Sequence, residues 1–378
     1  MSILKSKIEM TDIDKTIFKD FDYTFEGTSE FQIPVMPSPP KDFQLGVIVG
    51  SSGSGKSTLL KQFGNEEEVN WDNNKSIVSH FNDPIEGNIR LSAVGLNSIP
   101  TWGKPRNVLS NGEGFRADLA RKLKNNAVID EYSSVINREV AKSCSVALSK
   151  YIKRHNLKNI ILASCHDDIL EWLQPDWVYN TDTQEMLRGS LRQPKIHVQI
   201  HKGDRRYWEL FARHHYLTSK LPPIVRSFIL TWDDRLIGYT ATIALPSRIP
   251  PLYEGDNRKF FRECRTVILP DFQGLGLGTR FSNAVADIHI EQGLRYFSKT
   301  SHKIMGEYRQ NHPELWRPTS TNLKKRYKRS ASLAEKFNHM TLETERLCYS
   351  HEYIGENRKT YNPIYNNLRK ESQLELSL

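Results

Sequence analysis

The stretch FQLGVIVGSSGSGKSTLL, residues 43–60, decides how the first half of the chain is read. Leu45–Val49 is an unbroken apolar run of strand length. Gly50 to Ser57 then fit G-x-x-x-x-G-K-S/T, and Thr58-Leu59-Leu60 opens a helix. A phosphate cradle requires that order of strand, loop and helix. Gly50, Gly53 and Gly55 let the backbone turn its N–H groups, Ser51's among them, towards phosphate oxygens. The helix N-terminus adds partial positive charge. Lys56 is expected to reach the β- and γ-phosphates of a nucleotide. The hydroxyl of Ser57 is expected to bind Mg2+, with Thr58 beside it.

Three further stretches follow in order. VLSNGEGFRADLAR, residues 108–121, places Ser110, Gly112 and Glu113 at the head of an amphipathic helix. NNAVIDEY, residues 125–132, reads as a buried strand that carries Asp130 and Glu131 to its C-terminal end, beside the phosphate loop. Asp130 can hold Mg2+ through water, and Glu131 can polarise an attacking water. NIILASCHDD, residues 159–168, is another apolar strand with His166 just beyond it.

The chain has 378 residues, enough for two domains that each bury a core. Hydrophobic residues are 38% and charged residues 26%, an ordinary globular balance. No apolar run approaches the length that spans a bilayer, and the N-terminus lacks a signal peptide's apolar core. Cys144, Cys165, Cys264 and Cys348 have no metal-ligand spacing, which fits a reduced, cytoplasmic setting. The net charge of +9 favours a polyanionic partner.

The pattern breaks near residues 187–204 and restarts. KIHVQI reads as a strand, YWELFARHHYL as a helix, and SFILTWDDRLIGYTATIAL as a hairpin turning at Asp233-Asp234. RECRTVILP is a further strand. Then comes DFQGLGLGTR, residues 271–280, whose Gln273-Gly274-Leu275-Gly276-Leu277-Gly278 fits Q/R-x-x-G-x-G/A. Bared amides at a helix N-terminus would again receive an anion. A dinucleotide loop is the rival reading, but it belongs at the start of a β-α-β unit, with an acid about 20 residues on. Here a hairpin and a strand precede the loop.

On these motifs the first half resembles an ABC-type ATPase domain, and the second resembles a GNAT acyltransferase. AVGLNSIPTW, DEYSSVINREVA, EWLQPDW and FARHHYL add to the likeness, which is to an ABC-type ATPase fused to a GNAT-like domain. The resemblance implies an α/β chain: an ABC-type ATPase domain over residues 1–190, a GNAT-like mixed α/β domain over 191–350, and a tail over 351–378. It implies that His166 contacts the γ-phosphate and that Ser133–Asn137 forms the loop after the Asp-Glu pair. It also implies that Ser110, Gly112 and Glu113 of one protomer close over the nucleotide of the other, so that ATP drives homodimerisation. Two departures stand out. Lys56 and Ser110 lie close in sequence, so the helical subdomain must be short, and no glutamine loop is present, with Asn82 or Asp83 as stand-ins. Both argue against transport. In the second half the resemblance implies acetyl-CoA or another acyl-CoA held by Leu269, Gln273, Gly274, Gly276, Gly278 and Thr279. Glu263 is the candidate base and Tyr308 the candidate acid. His214, His215, Tyr216 and Lys299–Lys303 could shape the acceptor site.

From Lys303 to Arg329 there are eight Lys or Arg against two Glu, interleaved with Tyr308, Trp316 and Tyr327. Charges that meet phosphates and aromatics that stack on bases suit a nucleic acid. Three readings follow: an ATP-dependent acyltransferase on a nucleic-acid base or nucleotide; an acyltransferase on a protein or small amine, with ATP as a regulatory clamp; and a non-catalytic nucleic-acid-binding clamp.

Overall fold

The computed structural model describes residues 3–189, 191, 194–215, 218–245, 259–325, 347–355 and 374–377. The chain divides into two compact units: Met1–Asn97 with Thr101–Pro194, and Ser98–Pro100 with Lys195–Leu378.

The first unit begins with an antiparallel pair, β1 (Ile3–Lys7) and β2 (Thr28–Gln32), joined through helix α1 (Asp12–Asp20). The Thr11 side chain and the Asp14 carboxylate close a reciprocal cap on α1. The main sheet follows, with β3 (Leu45–Val49) at its centre. Helix α2 (Lys56–Leu60) leaves the glycine loop and stops after five residues. The regular helix does not continue through Lys61-Gln62-Phe63. Those residues instead close in tighter turns, with Gln62 N–H on Leu59 and Phe63 N–H on Leu60, before Gly64 at φ +142°. Helices α3 (Pro84–Ala93), α4 (Ile99–Trp102) and α5 (Asn111–Lys122) lead to β4 (Val128–Ile129). Helix α6 (Arg138–His155) crosses to β5 (Ile160–Ser164), and α7 (Leu170–Leu173) precedes β6 (Trp177–Asn180) and β7 (Glu185–Arg188). The strand order is β4-β5-β3-β6-β7, parallel except for the last.

Strand β3 is buried on both faces, which explains its unbroken apolar sequence. Val47 and Val49 join a core with Ile129, Leu162 and Leu119, while Ile48 joins a second core with Leu59, Ile161, Trp177 and Tyr179.

The second unit opens with β8 (His197–Gly203). Helix α8 covers only Trp208–Ala212, so His214 and His215 lie beyond it in the turn, and Tyr216 lies outside the described residues. Strands β9 (Arg226–Trp232) and β10 (Arg235–Leu245) form the expected hairpin. Asp233 and Asp234 both have positive φ, 47° and 60°, as a two-residue hairpin turn needs. Then come β11 (Phe260–Ile268), α9 (Leu277–Glu291), β12 (Arg295–Thr300), α10 (Lys303–Gln310), β13 (Trp316–Pro318), β14 (Lys324–Lys325), β15 (Leu347–Tyr353) and β16 (Leu374–Ser377). The order is β13-β15-β12-β11-β10-β9-β8-β16, with β14 on β15.

Residue 350 is not a domain end. Strand β15 runs through it and pairs with β12 and β13, and β16 pairs with β8, so parts of the expected tail belong to the second sheet. Among the described residues no helix is long and apolar enough to cross a membrane.

Candidate functional site

In the first unit the parallel strands deliver their chemistry to one edge. Val49 lies level with Ser164, and Ile129 level with Leu162, so the Gly50 loop, Asp130 and His166 all follow C-terminal strand ends. The Asp-Glu strand and the strand of the phosphate loop are not direct neighbours in the sheet. Strand β5 lies between them, because the α6 crossover inserts it there.

The loop is shaped by left-handed glycines: Gly53 at φ +80° and Gly55 at φ +93°, the latter capping α2. A Cβ on Gly55 would meet the Phe31 ring at 3.0 Å, so β2 packs against the start of α2. Lys56 Nζ donates to the Gly50 carbonyl at 2.9 Å and the Ser51 carbonyl at 2.6 Å, which holds the loop curled around its own ammonium. Ser54 Oγ contacts Thr181 Oγ1 at 2.6 Å. The Asp182 carboxylate accepts from Ser51 N–H at 2.7 Å and from Ser51 Oγ at 2.8 Å. Those two bonds hold its pKa below the usual aspartate range. Ser57 and Thr58 occupy the first turn of α2.

Asp130 and Glu131 follow β4 directly, and Asp130 accepts from the Glu131 N–H at 2.8 Å. Glu131 has φ +49° and Ser133 φ +69°, both left-handed, and Ser133 is buried. Strained non-glycine backbone of this kind costs about 1–3 kcal/mol and concentrates at working sites. A cavity of about 330 Å³ opens here, lined by Phe115, Asp118, Lys122, Asp130, Glu131 and Ser134 among others. His166 is half-buried, and its N–H donates to Ser164 Oγ at 3.0 Å. Arg138, which opens α6, forms a two-pronged ion pair with Asp168, so the turn after Glu131 is tied to the turn after His166.

Ser110 is the N-cap of α5. Its Oγ accepts from the Glu113 N–H at 3.3 Å, and the Glu113 carboxylate accepts from the Ser110 N–H at 3.1 Å. Burial pushes the Glu113 pKa up, but the bonds from Ser110 and Thr101 outweigh it and leave the pKa below its ordinary range. Gly112 lies in the first turn, and its carbonyl accepts from Arg116 at 3.2 Å. Asp83 caps α3 through the Ile85 and Glu86 N–H groups, and the Asn82 N–H donates to Glu86. Both are thus engaged at a helix start.

In the second unit β11 and β12 pair in parallel only from Phe260↔Arg295 to Glu263↔Ser298. Beyond that point β11 runs on to Ile268 and β12 to Thr300 without pairing to each other, so the sheet splits. The second glycine loop follows β11 at this end. Leu269 N–H bonds back to Ile237, and Gln273 Nε2 donates to the Ile268 carbonyl at 2.8 Å. Gly274 (φ +92°) and Gly276 (φ +81°) turn the chain into α9. A Cβ on Gly276 would meet nothing within 4 Å, so the backbone there is open, as an approaching anion needs. Thr279 Oγ1 bonds the Gly276 carbonyl at 3.1 Å. The Met305 sulfur lies 4.0 Å from where a Gly278 Cβ would stand, which brings α10 against the loop.

Glu263 sits where the strands part, but not as an exposed base. It is 8% exposed. Its Oε2 accepts from Arg309 Nη2 at 2.6 Å and Ser298 Oγ at 2.9 Å, and its Oε1 accepts from Thr266 Oγ1. Arg309, 1% exposed, also donates to Ser282 Oγ and stacks on Trp316. A proton-abstracting role would require breaking a buried ion pair, which is strongly unfavourable. Tyr308, on α10, is half-buried beside His312, and its hydroxyl meets Asn283 Nδ2 at 2.9 Å. His215 is pushed down to about 4 by burial.

No family model matches the chain, and no curated protein matches it. Solved structures of two kinds are similar to it. A ribosomal-protein-S18-alanine N-acetyltransferase from Escherichia coli is 11% identical over 45% of this chain and 99% of its own, with a TM-score of 0.29. A dimeric bacterial ABC transporter cassette is 15% identical over 42% and 88%, at 0.30. A GNAT family acetyltransferase from Elizabethkingia anophelis with acetyl-CoA bound is 10% identical over 41% and 95%, at 0.25. The strand orders and loop geometries show an α/β chain, with a mostly parallel five-stranded sheet whose glycine loop opens α2, followed by a mixed sheet whose glycine loop opens α9.

Sequence reading missed Phe31, Asp182, Arg138, Asp168, Asn283 and Arg309. Asp182 meets Ser51 across 131 residues, a pairing that no local pattern encodes. Arg309 adjoins the candidate Tyr308, the one sequence signal that pointed near it.

Proposed function

We propose that the chain binds and hydrolyses ATP through its first unit. Its second unit transfers an acyl group from acetyl-CoA or a related acyl-CoA to a nucleic-acid base or nucleotide. One observation carries this reading. Each unit has a glycine loop at a strand end, with a left-handed glycine immediately before a helix: Gly55 at φ +93° and Gly276 at φ +81°.

In the first unit Gly50, Ser51, Gly53, Gly55, Lys56 and Thr58 hold the phosphates, and Ser57 and Asp130 hold Mg2+. Glu131 orients water and His166 meets the terminal phosphate. Ser110, Gly112 and Glu113 close over the nucleotide of a second copy, which makes the assembly an ATP-dependent homodimer. In the second unit Leu269, Gln273, Gly274, Gly276, Gly278 and Thr279 form the acyl-CoA loop, and Tyr308 acts as the acid. With Glu263 held by Arg309, the acceptor nitrogen must arrive unprotonated, as an exocyclic base amine is at neutral pH. The net charge of +9 supports a polyanionic acceptor. Of the basic cluster, Lys324 and Lys325 form β14, and Arg326–Arg329 lie outside the described residues.

The engaged Glu263 also favours a second reading, in which the unit binds acyl-CoA without catalysis. Labelled acetyl-CoA, ATP and a mixture of DNA, tRNA and protein separate the outcomes. Label on nucleic acid is expected. Label on protein or a small amine would make ATP a regulatory clamp on a different acceptor. No label and no thiol release would leave a nucleic-acid-binding clamp.

A further inference from the structure

We infer that Asn283 and Trp316 orient the Tyr308 hydroxyl so that its proton is free to be given to the leaving thiolate; this rests on the acyl-transfer reading above. Indole N–H is a donor only. Trp316 Nε1 lies 3.0 Å from the Asn283 side-chain oxygen, so that end of the amide must be the acceptor. The opposite end of Asn283 is therefore its NH2, which lies 2.9 Å from the Tyr308 hydroxyl oxygen and donates to it. The hydroxyl is an acceptor in this bond, so its own proton points elsewhere. Among the described residues no side chain or carbonyl takes that proton.

The rest of the circuit fixes the geometry. Trp316 is fully buried, and the Arg309 guanidinium stacks 4.6 Å from its ring. Arg309 is pinned in turn by Glu263 on β11 and Ser282 on α9. Glu263 is thereby a positioning residue that anchors α10. Tyr308 lies one turn after Met305, the side chain that meets Gly278 of the glycine loop. Asn283 stands on α9 itself, roughly 10 Å along the axis from Gly276 at the usual helical rise. Loop and hydroxyl are thus linked through the contacts of α10 with α9 and with the loop.

The step balances without a further reactant. The acceptor nitrogen or water oxygen forms a bond to the thioester carbon, and the carbon–sulfur bond breaks. Its electron pair stays on sulfur, which takes the Tyr308 proton. The proton shed by the attacking atom returns through solvent to the tyrosinate.

Neutron diffraction from deuterium-exchanged full-length protein reads the arrangement directly. One Asn283 deuteron should point at the Tyr308 oxygen, and the Tyr308 deuteron should point away. A Tyr308 deuteron aimed at Asn283 would overturn the inference whatever the activity. The second arm compares wild type with Asn283→Asp, an isostere that can only accept and so draws the Tyr308 proton inward. Thiol release from acetyl-CoA with water as acceptor should fall roughly 10²-fold in kcat, the usual worth of a general acid. KM should be unchanged. Release of p-nitrophenolate from p-nitrophenyl acetate, which needs no proton, should fall far less. Equal losses with both donors would reduce Asn283 to a structural role and overturn the inference. Absence of thiol release by wild type would instead sink the acyl-transfer reading and the use of the proton, while the neutron map still decides the orientation.

Discussion

Lys56 and Gly276 serve the two proposed anion sites in different ways. Lys56 contributes a charge that already rests on the loop's carbonyls. Lys56→Ala should abolish ATP hydrolysis and leave acetyl-CoA affinity unchanged by calorimetry. Gly276 contributes a backbone conformation, φ +81°, in open space. A side chain there costs about 1–2 kcal/mol through left-handed strain alone. Gly276→Ala should therefore weaken acetyl-CoA by about thirtyfold at most. Gly276→Glu adds a negative charge where the pyrophosphate would sit and should weaken binding well beyond that, with ATPase intact. Equal affinities for wild type and Gly276→Glu would show that the loop does not hold CoA.

Helix α5 depends on its cap. Ser110→Ala removes one side of the reciprocal bond with Glu113 and should cost about 1 kcal/mol, measured by urea unfolding. The same pair predicts a pH effect. The folded Glu113 carboxyl titrates below its free value of 4.5. Its contribution is therefore complete above that value and is lost as pH falls through the lower folded value. Urea midpoints for wild type and Ser110→Ala should converge as pH drops below about 4.5. A difference that does not change with pH would assign the cap's stability to something other than the Glu113 charge.

At the scale of the whole molecule, Glu131→Gln should trap a dimer with unhydrolysed ATP. Sedimentation of that variant giving one mass with and without Mg-ATP would rule the dimer out. The second unit also carries three histidines, His215, His289 and His351, that burial pushes down to about 4. His289 is held neutral between Thr242 and the Val285 carbonyl. Because the folded values lie below the free value of 6.5, the unfolded chain gains protons first on acidification. Stability is full above about 6.5 and falls as pH drops towards 4. The thermal midpoint of the second unit should decline across that window, and less steeply in His289→Gln. A flat profile would contradict the burial of these rings.

Features written by short-range chemistry are legible in the amino acids alone. Residues 45–60 announce strand, loop and helix because glycine spacing and apolar runs are local properties. The same holds for the Asp233-Asp234 turn, the helix start at Ser110–Glu113 and the loop at Gln273–Gly278. Which strand lies beside which is set by the folded chain, and the fold places β5 between β3 and β4. It likewise drew β15 and β16 out of the expected tail, because an open sheet edge is satisfied by any strand that reaches it. It also turned Glu263 from a candidate base into the partner of Arg309, 46 residues away. The physical reason is common to all three. Hydrogen bonds and ion pairs between distant segments depend on which faces the sheet buries together, and residue type or local spacing does not record that.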